Sequence, residues 1–459
     1  MSRTLERSLV LRDLVFIVLG TIIGSGIFLV PSTVLRLTGG AVGPALLVWV
    51  IGGVLSFLGA MTYAELGAMR PEAGGLYAYM REAFGPLPAF LYGWTKFFVI
   101  ASGSVATLAV AFSGYLGQLI PVSPVGAKIA AVLMIAAIML INVRGTRQSA
   151  NVQNLSTGLK AGAIVVLSTL MLFMGRGYSA PGNIMWPDTI SAPLLSGVGA
   201  AMIGVLWAYE GWQYVTFSAG ETKDPQRTFP RGIVIGTGLI ILIYLLANLG
   251  YIAALGAERA ATSERIAAEA TSELFGPTAG KIIALVILIS MFSAANGLTL
   301  TVPRLYYAMA RDGVFFAKLA EVHPRFRTPA FAITVSSLWG MALALTGTFE
   351  QLLTYVVVVG WVFYGLGALA IFTYRRRFPR ETRPFRVPGY PVTPILFVLA
   401  AAAIVINAVF TQPRTVLIGL AFVLLGIPAF VIWRAKRIRT AAARDPGSGP
   451  STERDLTAP

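Results

Sequence analysis

The sequence predicts an all-α membrane protein of about twelve spans, and two observations carry this prediction. Hydrophobic residues make up 56% of the 459 residues and charged residues only 12%, which is too apolar for a soluble domain of this length. Apolar runs of about 18 residues or more recur along the whole chain, and each is long enough to cross the hydrocarbon core of a bilayer. The apolar run after Arg12 is too long for a cleavable signal peptide and lacks its small-residue cleavage site.

The spans follow one another closely between two polar tails. They are predicted at 13–36, 43–67, 86–118, 126–143, 152–175, 194–220, 231–254, 275–310, 330–346, 351–373, 393–411 and 415–433. Residues 1–12 form the N-terminal tail. Residues 434–459 form a basic tail whose polar, Pro- and Gly-containing end is predicted to be disordered.

The net charge of +16 follows the loops between the spans. If the N-terminus lies in the cytoplasm and the spans alternate, most of the 36 Lys and Arg residues fall in cytoplasmic segments, including the run at 375–377. This imbalance is the positive-inside rule, so both termini are expected in the cytoplasm. Nucleic acid is not an expected partner, because the charge is not gathered on one face.

Two residue types limit the chemistry of the chain. Cysteine is absent, so disulfides and thiolate metal sites are excluded. His323 is the single histidine, which leaves no histidine-based metal centre. We therefore expect neither a metal nor a cofactor.

The first span is interrupted by small residues near its middle. Its sequence runs through Gly24, Ser25 and Gly26, and glycine weakens a helix and frees its backbone. An unwound segment would expose the N–H groups and the positive dipole end of the following half-helix, which suit a carboxylate. Alternatively, the glycines form a packing face between membrane helices.

The sixth span has a second interruption. Around Glu210 and Gly211 it carries the aromatic residues Trp207, Tyr209 and Trp212, where lipid-facing aliphatic residues would be expected. A carboxylate near the centre of a span is costly and normally faces a polar cavity or a partner. A buried structural ion pair, or a protonated Glu that caps free backbone groups, is the alternative, and the aromatics fit packing roles equally well.

Because the interruptions fall in spans one and six, they predict two five-helix halves, 13–175 and 194–373, followed by a helix pair at 393–433. Halves with an odd number of helices have opposite orientations in the membrane. Interrupted segments at matching positions in two such halves indicate a transporter site.

Lys160 lies about 12 Å along the fifth span at a rise of 1.5 Å per residue. Two interpretations of this residue remain open. Its side chain snorkels back to the membrane surface, or its ammonium is fixed in the core where a transporter holds a cation. Lys96 and Arg304 are further cations within spans, and the sequence leaves their roles open.

Four stretches together resemble the amino acid–polyamine–organocation superfamily, and within it the bacterial L-type amino acid transporter group. The resemblance extends from Leu11 to Trp433. The stretches are Gly24–Pro31; Tyr63–Leu66 with Pro71–Tyr77; Trp207–Trp212 with Gly220–Pro225 and Phe229–Arg231; and Asn296–Gly297 with Tyr307–Gly313.

The resemblance implies the LeuT-like fold of two inverted five-helix repeats with broken helices 1 and 6. It implies that backbone N–H groups of Gly24, Ser25 and Gly26 meet the substrate carboxylate. Carbonyls of both breaks would meet the substrate amine, and Trp207 would close over the substrate. The full set of implied substrate-binding residues is Ile22, Ile23, Gly24, Ser25, Gly26, Ile27, Trp207, Ala208, Tyr209, Glu210 and Gly211.

The resemblance also implies a role for Lys160, since relatives with this lysine look sodium-independent. The ammonium would replace a sodium ion between the first and eighth helices, with Ser293 and the carbonyls near Ile22 as its neighbours. Relatives of the eukaryotic branch often carry Phe and Gly where this chain has Trp207 and Glu210. These two departures leave the preferred substrate side chain open.

The expected function is sodium-independent exchange of small to medium neutral L-amino acids by alternating access, and not an enzymatic reaction. The open alternatives are a proton-coupled or cationic amino acid symporter, with Glu210 or Glu65 as proton carriers, a channel, and a membrane sensor that binds without transport. We expect a monomer in the cytoplasmic membrane of a bacterium. A disulfide-linked glycoprotein partner, as in eukaryotic relatives, is excluded by the lack of cysteine.

Overall fold

The computed structural model describes residues 7–180, 183–347, 349–411 and 413–444, and the regular secondary structure of these residues is helical apart from one isolated β-bridge between Leu9 and Thr222. Its helices are α1 Leu11–Ile22, α2 Gly26–Leu37, α3 Val42–Met69, α4 Leu76–Phe84, α5 Pro86–Thr95, α6 Ala101–Leu119, α7 Pro124–Val143, α8 Thr146–Met174, α9 Ala192–Ala208, α10 Pro225–Leu255, α11 Ala257–Thr262, α12 Ile266–Phe275, α13 Pro277–Thr301, α14 Pro303–Arg311, α15 Ala330–Thr346, α16 Phe349–Arg377, α17 Val392–Thr411 and α18 Pro413–Arg444.

Ten helical segments of the described residues are long and apolar enough to cross a membrane, and the bent pair α1–α2 makes an eleventh. Helix α15 corresponds to the remaining predicted span, and its 17 residues extend about 26 Å at 1.5 Å per residue. This length is slightly less than a hydrocarbon core of about 30 Å. The prediction of an all-α, multi-pass membrane protein is confirmed.

The first and sixth spans are broken where the sequence predicted. Helices α1 and α2 meet at an angle of 46° across the break at 23–25. In the sixth span, α9 ends at Ala208, and a 3₁₀ helix of ten residues, Trp212–Glu221, follows it. Gly211 between them has φ 140°, a conformation that only glycine adopts readily.

Some elements depart from the sequence-based boundaries. Helix α18 continues through residues 434–444, which the sequence assigned to the basic tail, because residues 435–444 contain no Gly or Pro and consist mainly of the good helix formers Ala, Lys and Arg. The rest of that tail, 445–459, lies outside the described residues, as do residues 1–6 of the N-terminal tail. The short helices α4, α11 and α12 were not predicted at all.

The broken spans lie at the centre of the bundle. Helix α1 packs against α8, α10 and α13, while α2 packs against α9, so the two breaks face each other. The third span, α5 to α6, crosses α13 and α16 and contains a π-helical turn at Lys96–Ile100. A π turn inside an α-helix is rare and frequently lies at a functional site.

Candidate functional site

The two breaks are joined by close backbone packing. A Cβ atom on Gly26 would lie 2.5 Å from the Cα of Ala208, and one on Gly211 would lie 2.9 Å from the backbone N of Ile22. Thr21 crosses the gap in the other direction, since its hydroxyl donates to the carbonyl of Gly211 at 3.2 Å. The glycines therefore let two unwound backbones touch, as a single site requires.

A small cavity lies between the breaks. Its lining is Thr21, Ile22, Gly24, Ser25, Gly26, Ser104, Leu108, Trp207, Glu210, Tyr214 and Leu298. Glu210 is 8% exposed and Trp207 is 7% exposed, and the other lining residues are also buried. The cavity is therefore surrounded by buried residues.

Six of the eleven predicted substrate-binding residues line this cavity: Ile22, Gly24, Ser25, Gly26, Trp207 and Glu210. The others, Ile23, Ile27, Ala208, Tyr209 and Gly211, are buried around the breaks but are not part of the lining. Tyr209 packs away from the cavity, because its ring lies 5.8 Å from that of Trp49 and 5.2 Å from that of Tyr244. The structure thus separates residues that form the backbone turns from residues that face the cavity.

One wall of the cavity is the start of α2. The first N–H groups of a helix have no partner within it, and α2 begins at Gly26, beside Gly24 and Ser25. These donors and the positive dipole end favour an anion such as a carboxylate. The indole N–H of Trp207 donates to the Ser25 hydroxyl at 3.4 Å, so the aromatic ring is tied to this wall.

The carbonyl groups at the end of α1 already have donors from the protein. The Tyr244 hydroxyl donates to the carbonyl of Ile22 at 3.0 Å, and the Ser290 hydroxyl donates to that of Ile23 at 3.1 Å. A carbonyl oxygen has two lone pairs. That of Ile22 can therefore accept an additional donor from a ligand, whereas that of Ile23 accepts from Lys160 as well as from Ser290.

Lys160 is fully buried beside the first break, and its side chain does not reach the membrane surface. Its ammonium donates to the carbonyl of Gly20 at 2.8 Å, to that of Ile23, and to that of Ser290 at 3.3 Å. The ammonium therefore links α8 to the end of α1 and to α13. A buried ammonium requires such acceptors, since it has three donors and no acceptor.

The sequence predicted Ser293 as a neighbour of Lys160. In the structure, the contact is made by Ser290, one turn earlier in α13. Ser290 supplies the carbonyl, whereas the Ser293 hydroxyl lies 3.4 Å from the Thr157 hydroxyl. Sequence reasoning missed Ser290 because both serines are polar residues in the same apolar helix. The rotation of α13 about its axis decides which of the two meets the ammonium.

Glu210 faces the cavity on one side and a hydrogen-bond network on the other. Its Oε1 atom accepts from Gln213 Nε2 at 2.5 Å, from the Tyr214 hydroxyl at 3.2 Å, and from the Tyr364 hydroxyl. Lys96 completes the network, because its Nζ donates to the Tyr364 oxygen at 3.2 Å. Sequence reasoning named Glu210 but missed Tyr364, which lies in an uncharged stretch of α16.

Three buried carboxylates lie outside the cavity, toward the end of the bundle where α1 begins. Asp13 pairs with Arg147 at 2.8 Å, Glu221 with Arg304 at 2.6 Å, and Glu65 with Arg375 at 2.7 Å. Glu65 also accepts from the backbone N–H of Val387 at 2.7 Å. Each pair joins different helical segments, so the three together link the helices at this end of the bundle.

Broken helices that meet at a buried cavity, inside a bundle of membrane spans, define the architecture of a secondary transporter. The family model described as amino acid permease matches residues 9–431. This chain therefore belongs to the amino acid permease family, within the amino acid–polyamine–organocation superfamily. Family membership places it among amino acid transporters and confirms the resemblance described above.

The chain is also similar over most of its length to characterised transporters. It is 30% identical to the human cystine/glutamate transporter, over 94% of this chain and 87% of that protein. It is 30% identical to the serine/threonine exchanger SteT of Bacillus subtilis (strain 168), over 90% and 94%. It is 33% identical to the human b(0,+)-type amino acid transporter 1, over 90% and 84%.

Proposed function

We propose that this protein is a sodium-independent exchanger of small to medium neutral L-amino acids that works by alternating access. The observation that carries this proposal is the buried cavity between the two breaks, with the Lys160 ammonium fixed beside the first of them. The three relatives reported above are named as a cystine/glutamate transporter, a serine/threonine exchanger and a b(0,+)-type amino acid transporter.

Recognition of the amino acid backbone is assigned to the first break. The substrate carboxylate takes the free N–H groups at Gly24, Ser25 and Gly26, where the α2 dipole favours negative charge. The substrate amine takes backbone carbonyls of the two breaks, among them that of Ile22. Because these contacts involve only groups that every amino acid has, they leave side-chain selection to the rest of the cavity.

The preference for a small to medium, neutral substrate side chain rests on the lining residues that do not bind the amino acid backbone. Leu108, Leu298 and Trp207 are apolar walls, and Ser104 and Thr21 add hydroxyls. Glu210 is already engaged by three donors from the protein. A serine/threonine exchanger among the relatives agrees with this preference.

Sodium independence is assigned to Lys160. Its ammonium lies among the carbonyls of Gly20, Ile23 and Ser290, which are oxygen ligands of the kind that a sodium ion would need. A fixed positive charge supplies the same links between α1, α8 and α13 without an ion gradient. This arrangement supports transport without a sodium gradient, and exchange is the coupling that we propose for it.

The proposal includes the setting of the protein. Residues 13–175 and 194–373 are the two inverted repeats, with 393–433 as an additional helix pair. The protein acts as a monomer in the cytoplasmic membrane of a bacterium, with both termini in the cytoplasm. The three buried ion pairs then link the helices on the cytoplasmic side, which must open to release substrate.

Exchange is tested with purified protein in liposomes. We expect labelled L-serine to enter liposomes loaded with unlabelled L-serine several-fold faster than empty ones, because the return step needs a bound substrate. Replacement of sodium by choline should leave the rate unchanged. A requirement for sodium, or uptake into empty liposomes driven by an acidic exterior, would contradict the proposed coupling, and binding without any uptake would indicate a sensor.

Trp207→Ala should weaken substrate occlusion. The indole is buried against the cavity and tied to Ser25, and loss of a large apolar contact costs about 1.5–3 kcal/mol. We expect the KM for L-serine exchange to rise by at least about tenfold, which corresponds to about 1.4 kcal/mol. Trp186→Ala is the matched control, because Trp186 is 59% exposed; an unchanged KM in Trp207→Ala would remove the gate assignment.

A further inference from the structure

A second buried lysine, Lys96, lies behind the carboxylate that faces the cavity. It is located in the π-helical turn Lys96–Ile100 of the third span and is fully buried. Unlike Glu210, it is not part of the cavity lining. A cation within a membrane span is costly and needs a compensating partner.

The hydroxyl of Tyr364 connects the two charges. A tyrosine hydroxyl has one hydrogen to donate and lone pairs to accept with. It donates to Glu210, so it accepts from Lys96 Nζ at 3.2 Å and from Gln213 Nε2 at 2.8 Å. The hydrogen-bond directions therefore run from the ammonium, through the hydroxyl, to the carboxylate.

The ring of Tyr214 provides a second connection. Lys96 Nζ lies 4.2 Å from the centroid of this ring, a distance at which a cation is attracted to the aromatic face. The hydroxyl of the same ring donates to Glu210 at 3.2 Å. Each of the two tyrosines therefore contacts both Lys96 Nζ and Glu210 Oε1.

From this network we infer that Lys96 sets the charge selectivity of the transporter by neutralising Glu210 through Tyr364 and Tyr214. The inference rests on the proposed function. With Lys96 in place, the cavity carries no net negative charge, and a cationic substrate side chain gains nothing that offsets its desolvation. Without Lys96, Glu210 becomes an uncompensated carboxylate at the cavity wall, and a cationic side chain is the group that compensates it.

Lys96 acts here as a positioning residue, since it touches Glu210 only through the tyrosines. Its removal must change which substrate is preferred and not merely how well the protein works. L-norvaline and L-2,4-diaminobutyrate suit this test, because they have the same number of side-chain atoms and differ in the charged amine at the end. A steric effect alters both, whereas an electrostatic effect alters their ratio.

The experiment measures both ligands on wild type, Lys96→Met and Lys96→Arg, by competition against labelled L-serine exchange in liposomes and by thermal stabilisation of the purified protein. We expect Lys96→Met to raise the ratio of diaminobutyrate to norvaline affinity by at least about tenfold. Lys96→Arg should keep the wild-type ratio, because it keeps the charge. An unchanged ratio in Lys96→Met overturns the inference.

The double variant Lys96→Met/Glu210→Gln identifies the source of the new preference. It removes both charges, so the ratio should return to the wild-type value, and a ratio that stays raised would show that Glu210 is not responsible. If Lys96→Met does not fold, Lys96→Gln replaces it, since it also removes the charge but keeps a side-chain donor for the Tyr364 oxygen. A shift in the same direction supports the inference, and no shift overturns it.

The two readouts separate this inference from the proposed function. If wild type is stabilised by norvaline but exchanges nothing, the transport proposal fails, and the binding ratios still decide the role of Lys96. If wild type exchanges L-serine and the ratios do not move, only the role of Lys96 is lost.

Discussion

Substitution of Lys160 by alanine is expected to reduce amino acid exchange by at least about tenfold, which corresponds to about 1.4 kcal/mol, while the protein stays folded. The ammonium is the shared donor for carbonyls on two helices, Gly20 and Ile23 on the first span and Ser290 on α13. A buried acceptor that loses its donor costs about 1–3 kcal/mol. This cost falls on the broken segment that must change conformation in every transport cycle.

The effect should be concentrated at the first break because of how the break is held. Helix α1 ends at Ile22, and the Ser290 hydroxyl lies within hydrogen-bond distance of the carbonyl oxygens of Ile23 and Gly24, at 3.1 and 3.2 Å. Without Lys160, the Ser290 hydroxyl is the one side-chain donor to these two carbonyls among the described residues. The N–H groups at Gly26 then lose their fixed position, and substrate affinity falls together with the exchange rate.

The measurement is initial L-serine exchange in liposomes, with thermal unfolding in detergent as the folding control. Lys281→Ala is the matched variant, because Lys281 is an exposed lysine near the start of α13, the helix that also carries Ser290. Normal exchange by Lys160→Ala would remove its assigned role. Exchange lost equally in Lys281→Ala would indicate a general sensitivity to the loss of positive charge.

The breaks could be predicted from sequence because their signals are local. Gly24 and Gly26 interrupt an apolar run, and Glu210 and Gly211 lie among aromatics where aliphatic residues are expected. Such residues conflict with an ordinary lipid-facing helix, so a break or a cavity is the simplest resolution. The structure places both breaks at these residues.

The partners of the charged groups could not be predicted, because they depend on how helices rotate and cross. Tyr364 lies 154 residues after Glu210 along the chain, and nothing in its neighbourhood distinguishes it from the other tyrosines that pack in the core. The sequence left Lys96 open for the same reason. The role of Lys96 becomes clear only in the structure, where α16 places the Tyr364 hydroxyl between Lys96 and Glu210.

Arg304→Ala is expected to cause the largest loss of stability, because it breaks the most deeply buried ion pair of the described residues. Arg304 is 1% exposed and Glu221 is 2% exposed, with their Nε and Oε1 atoms 2.6 Å apart. Both also bond the Thr146 hydroxyl, Arg304 at 2.7 Å and Glu221 at 3.0 Å. Removal of one partner of a buried pair costs about 3–5 kcal/mol, since the other charge stays buried and unpaired.

An exposed pair in the same protein provides the control. Arg259 and Glu273 lie 2.8 Å apart but are 61% and 42% exposed, and a pair of this kind contributes about 0–1 kcal/mol. Unfolding of both alanine variants in detergent should therefore separate them clearly. Equal losses in the two variants would show that burial of Arg304 does not determine the cost.

A double substitution distinguishes the buried charge from the lost contact. In Arg304→Met/Glu221→Leu, no charge is left without a partner, and apolar groups fill the same space. Replacement of a buried pair in this way is often neutral or stabilising, so we expect the double variant to recover most of the stability that Arg304→Ala loses. Its exchange rate should nevertheless change, because the pair joins the 3₁₀ segment after Gly211 to α14 and must separate if that side opens. A double variant with both normal stability and normal exchange would show that the pair does not act in the transport cycle.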